Sequence, residues 1–440
     1  MKIMKFGGTS VGKPERMHEV AGLVTADESE PRIVVLSAVS GTTNALVGIS
    51  RQLAIGDKEA ARLAIDALET HYQNFITKLV QSEPALGKAR AVLQEHFEFL
   101  HIILRISWSE ALNKDILAQG ELLSTKLFCA YLEEQGIRYA MLPALDFMRI
   151  DANEEPRLDD IRTLLTAQLQ QHPNIGLFVT QGYICRNARG EVDNLKRGGS
   201  DYSASLIAAA VSASACEIWT DISGMHNNDP RIVDRTVPVS RLSFDEAAEL
   251  AYFGAKILHP ASIWPAQQYN VPVKLLNTME PSASGTLITS EAAAPGAKAI
   301  AAKDGITAVN IRSSRMLLAY GFLRRVFEVF EKNRTSIDMI TTSEVAVSVT
   351  IDSASSLPAI LEELAALGSV SVDGDQAIVS IVGHEIASDT SMLQRIFSSL
   401  EGVEIRMVSY GGSLHNISLL VAGEKKTEVL QRLNNGVFGL

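Results

Sequence analysis

The alternation of apolar and polar positions divides the chain into two patterns that meet near Pro281. Before that point, short apolar, β-branched runs at 2–6, 32–37, 138–142, 176–180, 216–220 and 272–276 read as strands buried on both faces. Between them the period lengthens to that of a helix. Met17, Val20, Ala21 and Val24 mark one apolar face after Pro14, a residue suited to the first position of a helix. Leu63, Ala67, Leu68, Tyr72 and Phe75, then Leu93, Phe97, Leu100 and Leu104, mark longer helices over 58–106. Buried strands alternating with helices predict a mainly parallel sheet covered on both sides, with the long helices as a lobe beside it.

A stretch rich in Ala, Ser, Gly and Pro at 281–296 separates this region from one built differently. Residues 306–311, 322–333, 336–341, 346–351, 357–367 and 369–373 read as strand, helix, strand, strand, helix, strand. A second series, at 377–383, 391–400, 404–409, 416–421 and 427–433, lacks its first strand. The unused apolar run 297–302 supplies it, so the first unit is expected to be inserted within the second. The predicted domains are 1–295, 304–375, and 376–440 completed by 296–303. Two ferredoxin-like units of ~70 residues suit a small-ligand regulatory or dimerising module.

Composition narrows the function. The 440 residues suffice for two or three domains, and 40 Lys and Arg against 51 Asp and Glu give a net charge of −11. No basic run exists to track a phosphodiester backbone, which argues against nucleic acid. With no charged-then-apolar leader and no run long enough to span a bilayer, the chain is expected to be cytoplasmic and free of membrane. Cys129, Cys185 and Cys216 are odd in number, widely spaced and without zinc spacing, as expected of reduced core thiols. His71, His96 and His101 also lack metal-ligand spacing and read as ordinary helical residues.

Candidate chemistry gathers where strands end. KRGGSDYSA at 196–204 places a cation, two glycines, a hydroxyl and a carboxylate in one short stretch. It reads either as an anion cradle at a helix N-terminus, with Ser200 and Asp201 capping a helix over 202–215, or as a capped tight turn. Lys5, Gly7, Gly8 and Ser10 form a second glycine-rich turn after the first strand. Gly7, Gly12 and Lys13 have P-loop spacing, but Pro14 stands where that loop needs Ser or Thr, which rejects it. Ser37 and Thr43 follow the second strand, at the edge where open α/β sheets bind ligands. Glu121, where GELLS begins or interrupts a helix, is either a surface acid or the counter-charge of a ligand ammonium. A turn-rich loop at 224–231 follows another strand, Ser243 and Glu246 form a capping box, and Lys256 stands near that helix's C-terminus.

In order along the chain, KFGGTSVG, SAVSGTTN, QGELLST, RGGSDYSA, WTDISGMHNNDPRIV and FGAKILHP resemble the motifs of the aspartate kinases of the amino-acid kinase superfamily. The resemblance covers essentially the whole chain. It implies an αβα sandwich kinase domain with a mainly parallel sheet and two ferredoxin-like ACT regulatory domains. It also implies transfer of the γ-phosphoryl group of ATP, with Mg²⁺, to the side chain of L-aspartate. Lys5 and Asp201 take catalytic roles by this likeness, with Gly7, Gly8 and Ser10 around the phosphates. Thr43, Glu121, Arg197, Gly198 and Ser200 resemble the aspartate site; Thr220, Asp221, His226, Arg231, Lys256 and Ile257 resemble the nucleotide site. The family often carries Tyr where this chain has His226.

The segments MLLAYGFL and SIDMITTSE resemble the effector-binding segments of lysine-sensitive members. They carry Met316, Gly321, Phe322, Leu323, Ser336, Ile337, Asp338, Thr342, Ser343 and Glu344. L-lysine is thus the expected inhibitor, with Asp338 facing its ammonium or, on residue type alone, capping a loop. A homodimer or dimer of dimers through the C-terminal units is expected, as is the absence of an appended homoserine dehydrogenase, since no G-x-G-x-x-G turn follows a strand. Two rivals stand beside this reading: another carboxylate kinase of the superfamily, and a non-catalytic amino-acid sensor. Intact Lys5, Arg197, Asp201 and Lys256 argue against the sensor.

Overall fold

The computed structural model describes the chain apart from residues 196–197, 255–258, 292–293 and 317–319, and apart from the side chains of Ala261 and Arg315. Two compact units emerge: Met1–Met225 with Ile257–Ser290, and His226–Lys256 with Glu291–Leu440. The first unit therefore lacks two segments of the expected 1–295 domain, 226–256 and 291–295, which group with the C-terminal residues.

The first unit opens with β1 (Lys2–Phe6), α1 (Pro14–Thr25), β2 (Arg32–Leu36), α2 (Thr42–Ala54), α3 (Lys58–Leu79), α4 (Glu83–Ile102) and α5 (Glu110–Glu134). It continues with β3 (Ala140–Met141), α6 (Ala144–Phe147), α7 (Leu158–Gln170), β4 (Leu177–Gln181), β5 (Ile184–Arg186), β6 (Val192–Asn194), α8 (Gly199–Ala210) and β7 (Ala215–Thr220). After β8 (Arg241–Ser243) and α9 (Phe244–Tyr252) of the other unit, it resumes with α10 (Pro260–Gln268), β9 (Val273–Asn277) and β10 (Thr286–Thr289).

β1 lies between β2 and β7, parallel to both, while β2 pairs in parallel with β4, β4 with β3, and β7 with β9. β10 returns antiparallel to β9. Because the strands run one way, Phe6, Leu36, Gln181 and Thr220 end on the same edge. All five residues of β2 are buried, as a strand sandwiched between helices requires. Phe6, Val34, Leu36, Leu46, Tyr72, Phe97 and Phe128 belong to one continuous core beneath the helical lobe.

Two expected helix boundaries need correction. Glu121 neither begins nor interrupts a helix; it sits mid-way along α5, where a Cβ on Gly120 would come 2.9 Å from the Cβ of Ala38. The glycine exists so that α5 can press against that loop. α8 starts at Gly199 rather than Tyr202, with Gly198 as its N-cap at φ 72° and no side-chain cap. Positive φ at that position favours glycine, and it frees Ser200 and Asp201 from capping.

In the second unit β11 (Gly296–Arg312), α11 (Phe322–Lys332), β12 (Ile340–Thr342), β13 (Ala346–Ile351), α12 (Leu357–Ala365) and β14 (Ser369–His384) precede α13 (Thr390–Ser399), β15 (Met407–Ser409), β16 (Asn416–Ala422) and α14 (Lys426–Leu433). The sheet order is β12-β13-β11-β14-β16-β15. β11 and β14 are long because each fuses two strands that the sequence pattern separates. β11 pairs with β14 along its length, its half before Ile306 with the end of β14 and its half from Ala308 with the start, with register shifts between Lys303 and Ala308; the half from Thr307 pairs with β13 on its other side. The expected strand over 336–341 shortens to β12, an exposed edge strand, leaving Asp338 in the loop before it.

α9 begins with the expected capping box of Ser243 and Glu246. Within the second unit its Glu249 accepts a hydrogen bond from Asn416 at 3.0 Å, and a Cβ on Gly254 would lie 2.1 Å from the Ala302 carbonyl oxygen. Among the described residues no helix is long and apolar enough to cross a membrane, and the three cysteines are buried and unpaired.

His96, buried between α4 and α5, bonds through Nδ1 to Gln119 at 2.6 Å, while its Nε2 has no partner. Burial holds it below the usual imidazole range. The unfolded chain gains a proton below about pH 6.5 that the folded chain resists, so this contribution to stability is complete above that pH and declines below it. Thermal melts from pH 7 to pH 5 are expected to lose up to ~1.4 kcal/mol per pH unit through this group. His96→Gln, which keeps a donor for Gln119, is expected to shallow that slope; an unchanged slope would place the acid sensitivity elsewhere.

Candidate active site

Lys5 projects from β1 next to the first glycine turn, and its ammonium lies 2.5 Å from the Asp201 carboxylate in the first turn of α8. Lys5 is only 8 % exposed, so its charge needs a partner. A Cβ on Gly7 would sit 3.4 Å from that ammonium. The turn is anchored from both sides: Gly7 donates its N–H to the Trp219 carbonyl at 3.3 Å, and the Ser10 hydroxyl is 2.7 Å from that of Thr278. Lys5, Gly7 and Asp201 thus meet at this turn, with Ser10 holding its far side.

The same turn is packed against the carboxylate pocket. A Cβ on Gly8 would approach the Ala38 carbonyl oxygen to 2.9 Å, and the N–H of Ala38 donates to Glu121 Oε1 at 3.2 Å. Ala38 therefore ties Glu121 to the glycine turn. Glu121 is 4 % exposed and its Oε2 has no hydrogen-bond partner, which settles it as a buried acid rather than a surface one. Burial raises its carboxyl to about 7, opposed by the Ala38 and Glu121 backbone amides. A buried oxygen without a donor, on a group poised to ionise at neutral pH, is suited to a ligand cation.

Thr43 stands in the first turn of α2, just past β2, while its neighbour Thr42 bonds to the Tyr72 hydroxyl at 2.8 Å. Gly198 and Ser200 bound the other side of the site. A Cβ on Gly198 would strike the Ser262 hydroxyl at 2.1 Å, and one on Gly182, after β4, would strike Ser200 at 2.3 Å. Arg197 lies outside the described residues. Of the nucleotide candidates, Thr220 ends β7 and bonds to Asp221 at 3.2 Å in the first unit. His226 and Arg231 belong to the second unit, where His226 Nδ1 meets the Thr236 hydroxyl at 2.9 Å and Arg231 pairs with Asp229 at 2.7 Å. Lys256 and Ile257 lie outside the described residues.

The effector candidates fall within the second unit. Phe322 is buried in the core of α11 and β13, Met316 and Ile337 pack against that core, and Gly321 takes φ 78° as the cap of α11. Leu323, Ser336, Thr342, Ser343 and Glu344 are exposed. Asp338 is not a loop cap. Its side chain is 1 % exposed, and its Oδ1 accepts from Lys303 at 2.9 Å and from the Tyr252 hydroxyl at 2.9 Å. Its Oδ2 is buried without a partner. Lys303 also pairs with Asp352 at 2.8 Å.

Sequence reasoning missed Ala38, Tyr252 and Lys303. Ala38 acts through its backbone, so its residue type carries no signal. Tyr252 and Lys303 reach Asp338 from distant segments, and nothing in their local pattern announces it.

Residues 1–277 match the amino acid kinase family, and residues 379–436 match an ACT domain family. Lysine-sensitive aspartokinase 3 of Escherichia coli K12 is 35% identical over 448 residues, covering 99% of this chain and 99% of that protein. Chloroplastic aspartokinase 3 of Arabidopsis thaliana is 34% identical over 461 residues, covering 99% of this chain and 81% of that protein. Among solved structures, E. coli aspartokinase III with aspartate and ADP, in its R-state, superposes with a TM-score of 0.86 at 34% identity, covering 100% of both chains. The same E. coli enzyme with lysine and aspartate, in its T-state, gives a TM-score of 0.81 at 34% identity, covering 100% of this chain and 99% of that one. The family match over the kinase region and the full-length relatives place this chain in the amino acid kinase family, among its aspartokinases.

Proposed function

We propose that the chain phosphorylates the side-chain carboxylate of L-aspartate from ATP and that L-lysine inhibits it. The observation that carries the catalytic part is the Lys5–Asp201 pair above Gly7, joined through Ala38 to a buried Glu121 with a free oxygen. Aspartate brings an ionised nucleophile, so the protein needs no base; it must hold two anions in line and neutralise the phosphoryl oxygens. Lys5 does the neutralising, and Asp201 holds it in place. Glu121 Oε2 takes the substrate ammonium, and by family likeness Arg197 takes the α-carboxylate. Among the described residues no three His, Cys, Asp or Glu are grouped to hold a metal. Mg²⁺ would enter with the triphosphate, whose oxygens and bound water supply most of its ligands.

A coupled assay of ADP release tests this reading, with L-aspartate active and L-glutamate much weaker. Equal rates with both would favour a less selective carboxylate kinase. Glu121 gives the assay a pH signature, because only its ionised form pairs with the ammonium. From pH 8 to pH 6 the aspartate KM is expected to rise ~10-fold, the change in ionised fraction of a group titrating near 7. Glu121→Gln is expected to bind aspartate weakly at both pH values and to lose that dependence. A pH profile unaltered in the variant would remove Glu121 from the ammonium site.

For inhibition, the buried Asp338 with one unengaged oxygen offers the effector ammonium a place beside Lys303 and Tyr252. A ligand acts only if it favours one arrangement of the protein, so aspartate is expected to oppose lysine. Titrating activity with L-lysine is expected to give inhibition that Asp338→Ala weakens at least ~10-fold, the size of one charge-assisted contact. Inhibition unchanged in that variant, or produced by L-threonine alone, would refute the assignment. The exposed edge strand β12, with Ile340 and nearby Val345 also exposed, supports a homodimer or dimer of dimers; light scattering on the same samples decides it, and a single-chain mass would exclude it.

A further inference from the structure

Over the starts of β1 and β2 the first unit holds a cavity of about 210 Å³. Arg32, Lys2, Asp27 and Glu217 line it together with Leu23 and Trp219. Arg32 is 6 % exposed, its Nε is buried without a hydrogen-bond partner, and among the described residues its guanidinium forms no ion pair. The neighbouring carboxylates are already engaged. Asp27 and Glu217 both pair with Lys2, at 3.5 Å and 3.6 Å, and Glu217 also accepts from the Trp219 indole at 3.1 Å. Glu30 takes the N-terminal ammonium at 3.0 Å and the Ser214 hydroxyl at 2.7 Å.

A guanidinium cannot shed its charge, and its planar fork of donors matches a carboxylate. Burying it without a partner is costly, yet a cavity opens next to it where the missing acceptor fits. The remaining walls choose the rest of the ligand: Leu23 and the Trp219 indole are apolar, and the space equals that of ~7 water molecules. We propose that this cavity binds a small monocarboxylate, its carboxylate on Arg32 and its short aliphatic body against Leu23 and Trp219. Lys2 is spoken for by two carboxylates, so Arg32 supplies the specificity. The site is distinct from the aspartate pocket: Lys2 and Arg32 start their strands, whereas Lys5 and Ala38 stand at or beyond the opposite ends.

Calorimetric titration of the full-length chain with two probes of the same branched skeleton, sodium isobutyrate and L-valine, tests the proposal. The first offers the carboxylate alone; the second adds an ammonium that Asp27 and Glu217 could read. Saturable binding of either probe at a Kd of ~1 mM, weakened at least ~10-fold by Arg32→Gln, is expected for one charge-assisted fork. Tighter binding of isobutyrate points to a simple acid, and tighter binding of L-valine points to an amino acid; both support the site. The aspartate KM is expected to stay unchanged in Arg32→Gln. Should that variant not fold, Ala26→Trp, which fills the cavity mouth from an exposed position, is expected to abolish binding with all charges intact. No saturable binding of either probe, or binding that survives both substitutions, overturns the proposal, as does binding of inorganic phosphate in place of both carboxylates.

Discussion

A lysine ammonium 2.5 Å from an aspartate carboxylate, at the edge where parallel strands end, sets the terms for the rest of the first unit. In the role proposed for it Lys5 has to be buried, since the field of a cation on a phosphoryl group is strongest where water is excluded. Burial makes an unpaired charge untenable, so Asp201 has to reach it. That in turn requires α8 to begin at Gly199 with Gly198 at positive φ, because a helix starting at Tyr202 would put Asp201 to work as a cap. The backbone of this stretch follows from the electrostatics of one pair.

The same demand explains the close approaches around the pair. Gly7 leaves room for the ammonium, Gly8 lets the turn touch Ala38, Gly120 lets α5 press against Ala38, and Gly182 lets β4 end against Ser200. At Gly8, Gly120 and Gly182 a side chain would force two packed elements apart. Glu121 then owes its raised carboxyl to the seal that these contacts make. The second unit repeats the theme with different groups: Asp338 is buried and held by Lys303 and Tyr252, with one oxygen unengaged.

Much of this is legible in the sequence, for physical reasons. Buried strands such as RIVVL and the helical periods of α1, α3 and α4 are local properties, as are the glycine turns and the capping box of α9. The missing strand of the second ferredoxin-like unit could be inferred because a leftover apolar run has to go somewhere, and the pairing of β11 with β14 shows where. What escaped notice depends on contacts across long separations. The placement of 226–256 with the C-terminal residues is fixed by Glu249 with Asn416 and Tyr252 with Asp338, which no local pattern encodes. Residue type alone puts the start of α8 too late, because Ser-Asp is a good cap, and only the distant Lys5 decides otherwise.

The central claim is that Lys5 and Asp201 act as one unit during phosphoryl transfer, and a double-mutant cycle on kcat measures that directly. Lys5→Ala, Asp201→Ala and the double variant are compared under saturating aspartate and ATP. The account predicts that each single substitution lowers kcat by ~10²-fold or more and that the double variant is little worse than the poorer single one, as residues acting together behave. Additive losses, or losses confined to KM, would contradict it.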